Sequence, residues 1–213
     1  ASLASIVIPE GVENIGGYAF ASCYSLKSVS FPSTLQEIGA DAFDTCESLD
    51  SVILPEGLIS VGYMAFDACH SLESIIIPDS VTSIGGYAFS NCYNLKEVKL
   101  PQNLTVISDA MFNNCYYGAL SITIPESVTS IGKRAVAECI NMASITIPAN
   151  VTSIGSSSFY NCTAMKNVWF TGDIPDILVD AFTNVTATVY YPAGNKTYTE
   201  EVLKGYGGTL IWE

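Results

Sequence analysis

Seven cysteines stand at positions 23, 46, 69, 92, 115, 139 and 162, the lone histidine is His70, and carboxylates follow proline at Glu10, Glu56, Asp79 and Glu126. Metal, redox, nucleophilic or acid–base chemistry would have to be assembled from these side chains. The cysteines form no C-x-x-C pair, and a spacing of 23 with one step of 24 repeats a single structural place instead of converging on an ion. They are predicted to be a ladder of buried free thiols, because Cys is among the most buried residue types, with disulfides between neighbouring repeats as the alternative. His70 occupies a place filled elsewhere by Tyr24, Glu47, Tyr93, Tyr116, Ile140 and Thr163, and no G-x-S-x-G, H-E-x-x-H or phosphate loop gives it a catalytic partner. The carboxylates are expected to form either a solvated stripe or a surface for a cation or a basic partner, and nothing selects two of them for glycosidase-like work. No catalytic residue, metal or cofactor is expected.

What positions these residues is a repeat. Prolines at 9, 32, 55, 78, 101, 125 and 148 keep the same interval as the cysteines, and a fixed period of this length implies a solenoid. The extra residue of the single longer step lies around Tyr117-Gly118. Before each proline, apolar residues alternate with polar ones, as in Ile6 and Ile8, Val29 and Phe31, Val52 and Leu54, Ile75 and Ile77; this predicts a half-buried strand. Proline donates no hydrogen bond to a ladder, so it marks the strand exit. An aliphatic pair follows, Val12 and Ile15 or Val81 and Ile84, and then Gly16, Gly39, Gly62, Gly85, Gly132 or Gly155, with Ser108 in one copy. These glycines are expected to supply a positive φ or a close backbone approach at a corner. Ala-Phe comes next, spaced from Cys like a short helical turn, so Phe20, Phe43, Phe66, Phe89, Phe112, Phe159 and Phe182 should stack as a spine broken at Val136.

The bulk numbers bound the class. A chain of 213 residues with 49% hydrophobic residues buries a sizeable core, and its longest apolar runs are strand-length, so no membrane insertion is expected. The net charge of −13 is uneven: residues 1 to 92 hold eleven acidic side chains and one basic, Lys27, a net of −10. Such a field repels phosphate backbones, which argues against nucleic acid. Leu3 already stands where Leu26, Leu49, Leu72 and Leu95 stand later, as expected of a processed protein or a fragment.

The unit L-x-x-I-x-I-P-x-x-V-x-x-I-G-x-x-A-F-x-x-C, written in full by Leu72 to Cys92, resembles the 23-residue BspA-like leucine-rich repeat. Seven copies are clear, and an eighth runs through Thr171, Ile174, Ile177, Ala181-Phe182 and Val185. The resemblance covers residues 1 to 185 and implies a repeat solenoid, α/β or mainly β: a curved right-handed array with a concave parallel sheet and short helical turns or coil on the convex side. A parallel β-helix is the rival fold. Residues 186 to 213 resemble the C-terminal cap of secreted bacterial surface proteins. There, Val189 and Tyr191 before Pro192 read as a strand, Tyr198 to Lys204 as a short helix and Thr209 to Trp212 as a last strand. At the other end, Leu3, Ile6 and Ile8 are expected to be exposed, which invites self-association.

The resemblance also implies a place outside the cell or on its surface, and a role in adhesion and protein binding. The residues expected to carry it point out of the strands: Val7, Ser30, Ile53, Ile76, Lys99, Thr123, Thr146 and Trp169. A loop ladder of Tyr24, His70, Tyr93, Tyr116 and Tyr117 adjoins them. Exposed apolar residues in a row and exposed Tyr mark recognition surfaces, although β-propensity alone also fills strands with Val, Ile and Thr. The expected function is therefore non-catalytic recognition of a host or extracellular protein, or a glycan, with a structural spacer as the alternative.

Overall fold

The computed structural model describes residues 2–213. Each repeat makes one coil with a main strand and a shorter second strand. The first five coils contain β1 (Ser5–Val7) and β2 (Asn14–Ile15), β3 (Ser28–Ser30) and β4 (Glu37–Ile38), β5 (Ser51–Val52) and β6 (Ser60–Val61), β7 (Ser74–Ile76) and β8 (Ser83–Ile84), and β9 (Glu97–Lys99) and β10 (Val106–Ile107). Coils six to eight contain β11 (Ser121–Ile122) and β12 (Ser130–Ile131), β13 (Ser144–Ile147) and β14 (Ser153–Ile154), and β15 (Asn167–Phe170) and β16 (Asp176–Ile177), before β17 (Thr186–Tyr190) and β18 (Thr209–Trp212) close the array. All pairings are parallel, and apart from β15 on β17 their register offsets follow the repeat, such as Val29 on Val52 and Ile154 on Ile177. The molecule is a parallel β-solenoid of about nine turns, and no helix forms among the described residues.

The main strands form because their alternation fits a sheet with one wet face: Val29, Val52, Ile75, Val98 and Ile145 point inward and are buried, while their neighbours along the strand are exposed. Each proline ends the strand and turns the chain, its carbonyl accepting the N–H three residues on, as from Val81 to Pro78 and from Leu58 to Pro55. The core is one continuous cluster along the whole array. Within it, phenylalanine rings stack nearly parallel from coil to coil, at 5.1 Å for Phe20–Phe43, 5.2 Å for Phe43–Phe66, 5.6 Å for Phe66–Phe89 and 5.8 Å for Phe89–Phe112. The stack lapses at the buried Val136 and resumes at 4.8 Å with Phe159–Phe182.

The segment expected to hold short helical turns or coil is a run of tight turns without helix. Ala19 donates to the Gly16 carbonyl, Ala21 to Tyr18, Cys23 to Phe20 and Leu26 to Cys23. Left-handed residues recur twice per coil within it, at Tyr18 and Ser22, Asp41 and Thr45, Met64 and Ala68, Tyr87 and Asn91. One left-handed residue is enough to stop a helix. Each costs a non-glycine residue about 1–2 kcal/mol, and what offsets it is a third ladder between coils. Tyr18, Phe20 and Ser22 donate their N–H groups to the carbonyls of Ala40, Ala42 and Asp44 at 3.0, 2.8 and 2.7 Å, and Asp41, Phe43 and Thr45 repeat this one coil on.

The glycine after the second strand serves close approach, and the positive φ expected as its alternative belongs to other residues. A Cβ on Gly62 would lie 2.6 Å from the backbone of Gly39, and one on Gly39 would lie 2.8 Å from Gly17. This proximity lets Gly62 donate its N–H to Ile38 and Gly39 to Ile15, both at 2.8 Å. Where Ser108 takes the place, its hydroxyl donates to the Ile84 carbonyl at 2.5 Å. The second sheet divides there into β2-β4-β6-β8 and β10-β12-β14-β16.

The closing segment keeps the repeat interval, with Thr186 paired to Thr209 and Val189 to Trp212. The helix expected over Tyr198 to Lys204 is absent. Turns carry that stretch, fastened by the Tyr198 hydroxyl donating to the Gly172 carbonyl and the Trp212 indole donating to the Lys204 carbonyl. The hydroxyl needs Tyr198 laid against Tyr191, whose ring it stacks at 4.3 Å, and a helix would turn it away. In the first coil Leu3 is exposed and Ile6 half-buried, but Ile8 is buried against expectation, because its N–H reaches the Ser30 carbonyl and draws it under the second coil.

Two substitutions test this account. Phe89→Ala, which opens the middle of the ring stack, should lower unfolding free energy by about 3–5 kcal/mol; a loss below about 1 kcal/mol, the scale of surface changes, would contradict its place in the core. Gly62→Ser should cost about 1–3 kcal/mol through overpacking and accelerate amide hydrogen exchange at residue 62, reproducing the lapse seen beside Ser108.

Candidate functional site

The side chains that could do chemistry are dispersed or spent on structure. All seven cysteines are free; Cys23 in the first coil is half-buried and the other six are buried. The thiols of Cys46, Cys69, Cys92, Cys139 and Cys162 each donate to a carbonyl of the preceding coil's spine position, at 3.3 Å to Phe20, 3.5 Å to Phe43, 3.3 Å to Phe66, 3.1 Å to Phe112 and 3.2 Å to Val136. Burial, reinforced by the neighbouring Cys23, pushes the Cys46 thiol up to about 12. Burial also drives Cys69, Cys92, Cys115 and Cys162 well above the ordinary range. These are core side chains with a weak donor put to use.

His70 is half-buried and stacks face to face on Tyr93 at 4.3 Å, 6° from parallel. Tyr116 and Tyr117 join the group, with ring centroids 5.7 and 6.0 Å from Tyr93. The extra residue of the longer repeat makes this possible. Gly118 is buried where a Cβ would run into the Leu95 carbonyl, and Leu120 takes the core place, so both tyrosines are left outside. Burial raises the Tyr116 hydroxyl, and the Glu138 carboxylate adds to the shift. Tyr24 is exposed and lies apart from this group, with Glu47 occupying the rung between.

The post-proline carboxylates do not converge. Glu10 accepts from the Ser33 amide and hydroxyl, and Asp79 accepts from the Gln102 amide at 2.8 Å. Glu56 and Glu126 line separate depressions of the main-strand face. On the turn side, Asn91 donates to Asp67 at 2.9 Å and Asn114 to Asn91 at 2.9 Å. Burial raises the Asp67 carboxyl, and the bonds from Asn91 and Ser90 partly hold it down. This chain of amides braces left-handed residues and leaves no reactive group open.

The surface that does vary is the outward row of the main strands. Val7, Ser30, Ile53, Ile76, Lys99, Thr123, Thr146 and Trp169 are all exposed and occupy the same place in successive coils. Trp169 stacks on Tyr190 at 5.8 Å, 15° from parallel, and Tyr190 is a member of the row that the repeat interval hides, because β15 pairs with β17 at a shorter offset, Trp169 on Tyr190. The strand face also divides. β5 and β7 share only a bridge between Ile53 and Ile76, and β11 and β13 are not paired. A depression lies at each division, one of about 370 Å³ lined by Ile53, Ile76, Glu56, Ser51 and Ser74, the other of about 270 Å³ lined by Thr123, Thr146, Glu126, Ser121 and Ser144.

A family model for the BspA type leucine rich repeat region matches six copies, over residues 1–119 and 116–204. Among solved structures, a leucine-rich repeat protein from Bacteroides ovatus is 28% identical with a TM-score of 0.66, covering 99% of this chain and 61% of that one. The T. pallidum leucine rich repeat protein is 23% identical with a TM-score of 0.52, covering 78% of this chain and 79% of that one. The pneumococcal vaccine antigen PcpA is 16% identical with a TM-score of 0.53, covering 99% and 68%. The last two share the fold alone, and this chain spans less than two thirds of the length of the B. ovatus protein. No curated protein matches the chain in sequence.

Thiol labelling checks the cysteine assignment. An ordinary thiol ionises near pH 8.5, and burial that favours the neutral form should keep Cys46, Cys69, Cys92, Cys115 and Cys162 unreactive to iodoacetamide at pH 8 in the folded protein, while all seven cysteines react in denaturant. Rapid native labelling of Cys92 would contradict the ladder.

Proposed function

Because this chain belongs to the BspA-type leucine-rich-repeat family, we propose that it is a non-catalytic recognition module, outside the cell or on its surface, that takes a protein partner on its main-strand face. The observation that carries this reading is the contrast between two kinds of position. Inward places repeat Phe, Cys, Leu and Val or Ile in coil after coil, whereas the outward place changes at five of seven steps, from Val7 through Ser30, Ile53, Ile76, Lys99, Thr123 and Thr146 to Trp169. A row free of packing duties is where specificity resides, and its isoleucines and tryptophan are the kinds of anchor that dominate interfaces. The non-catalytic part of the reading is supported by the buried thiols, by the stacked His70 and by carboxylates engaged one at a time.

The test is a triple variant, Ile53→Ser, Ile76→Ser and Trp169→Ser, assayed for adhesion to cultured host epithelial cells and for thermal unfolding. These side chains alternate with the buried Val52, Ile75 and Val168, so unfolding should change by no more than about 0.5 kcal/mol per isoleucine, with about 0.5–1.5 kcal/mol more for the Trp169–Tyr190 stack. Adhesion should be lost, and protease treatment of the cells should abolish it where glycosidase treatment does not. The reverse pattern would assign a glycan partner. Unchanged adhesion of the folded variant would move the site to His70, Tyr93 and Tyr116 or favour a spacer role.

A further inference from the structure

We infer that the third and fourth coils form a docking site for a basic protein segment in extended conformation, one whose alternate residues are apolar and whose intervening residues are Lys or Arg. The inference rests on the protein-recognition reading above and names the partner's chemistry.

The apolar half of the argument starts from Ile53 and Ile76, which are 84% and 63% exposed in adjacent coils. Strand propensity does not require them, because Thr123 and Thr146 hold the same outward place in other coils with a β-branched side chain that also carries a hydroxyl. Ile53 stands as a ridge between two depressions, the one of about 370 Å³ shared with Ile76 and another of about 360 Å³ lined by Ser30, Phe31 and Ser51. The hollow shared with Ile76 lies where β5 and β7 are joined by a single bridge, and the other lies between the paired β3 and β5. An apolar ridge flanked by two hollows offers places for the apolar side chains on one face of an extended segment, as in other modes of peptide recognition.

Charge supplies the other half. Exposed carboxylates edge the patch on both sides, Asp50 and Glu73 where the strands begin and Glu56 and Asp79 where they end. Among the described residues, only Glu73 of these has a cation within reach, Lys96 at 2.9 Å. Residues 1 to 92 contain a single basic side chain, Lys27, against eleven acidic ones. Lys99 then takes the outward place in the next coil, exposed beside Glu97, and a like charge there stops a cationic segment from continuing along the row. An acidic rim around an apolar strip, closed by a lysine, is complementary to a basic amphipathic strand, and its attraction is long-ranged and screened by salt.

The test uses the whole chain and three fluorescein-labelled synthetic peptides, (Lys-Val)4, (Glu-Val)4 and (Lys-Ser)4, followed by fluorescence anisotropy. The lysine–valine peptide should bind, weaken at least tenfold between 50 and 500 mM salt, and exceed both others at least tenfold. Ile53→Ser with Ile76→Ser should weaken it at least tenfold. Asp50→Asn with Glu56→Gln should do the same while flattening the salt dependence. Glu13→Gln with Glu37→Gln, which removes as much charge away from the strip, should leave binding within twofold, as should Trp169→Ser. Equal losses from the two charge pairs would overturn the site as unspecific attraction, and equal binding of the glutamate–valine peptide would overturn the partner's charge. If no peptide binds while the Ile53 and Ile76 substitutions still abolish cell adhesion, the basic partner is refuted and the wider recognition reading stands. If neither measurement responds, both fall.

Discussion

A coil of this molecule cannot cover its own interior, so every inward side chain must be compatible with the residue one repeat ahead and one repeat behind. Phe43 lies between the rings of Phe20 and Phe66, each thiol from Cys46 onward meets the carbonyl of the preceding spine residue, and Gly62 fits against Gly39 because neither has a Cβ. Stacking at one strand spacing makes the structure a solution to self-complementarity. A residue is admitted at a place when it packs against copies of itself, which is why one short sentence is repeated with so few changes.

Three ladders of backbone hydrogen bonds enforce that spacing, along the main strands, the second strands and the turns. The turn ladder has the least familiar basis. Its donors include the left-handed residues themselves, such as Tyr18 and Ser22, so the conformational penalty and the bond that offsets it belong to the same residue. Asparagine serves this role well, because its short amide tolerates the left-handed region and can bond to the next rung, as Asn114 does to Asn91. The same constraint leaves the outward row unconstrained, and the candidate site inherits its freedom from that.

The main strands, the ring stack and its lapse at Val136 were all legible in the sequence, because alternation and a fixed interval determine which side chains share a side. The outward row was legible for the same reason, and only Tyr190 escaped, where the register shortens. The choice between helical turns and coil stayed open in the sequence because Phe and Cys three residues apart fit a helix as well as two successive turns; Asn91, Asn114 and Asn161 immediately before cysteine were the available sign. The glycine place carried two physical meanings, and only distances decided for close approach. The divisions of the sheets were not legible at all, since Ile53 and Ile76, or Thr123 and Thr146, carry the same alternation as the coils whose strands stay paired.

Those divisions fall at different heights. The main-strand ladder lapses between the third and fourth coils and again between the sixth and seventh, whereas the second-strand ladder lapses between the fourth and fifth, beside Ser108. At no height do both sheets part together. A pull along the eight repeat coils is therefore shared at every joint between them by at least two ladders in parallel, one of them the turns. The joints are staggered, like courses of brickwork, so that each is bridged by a ladder that stays closed.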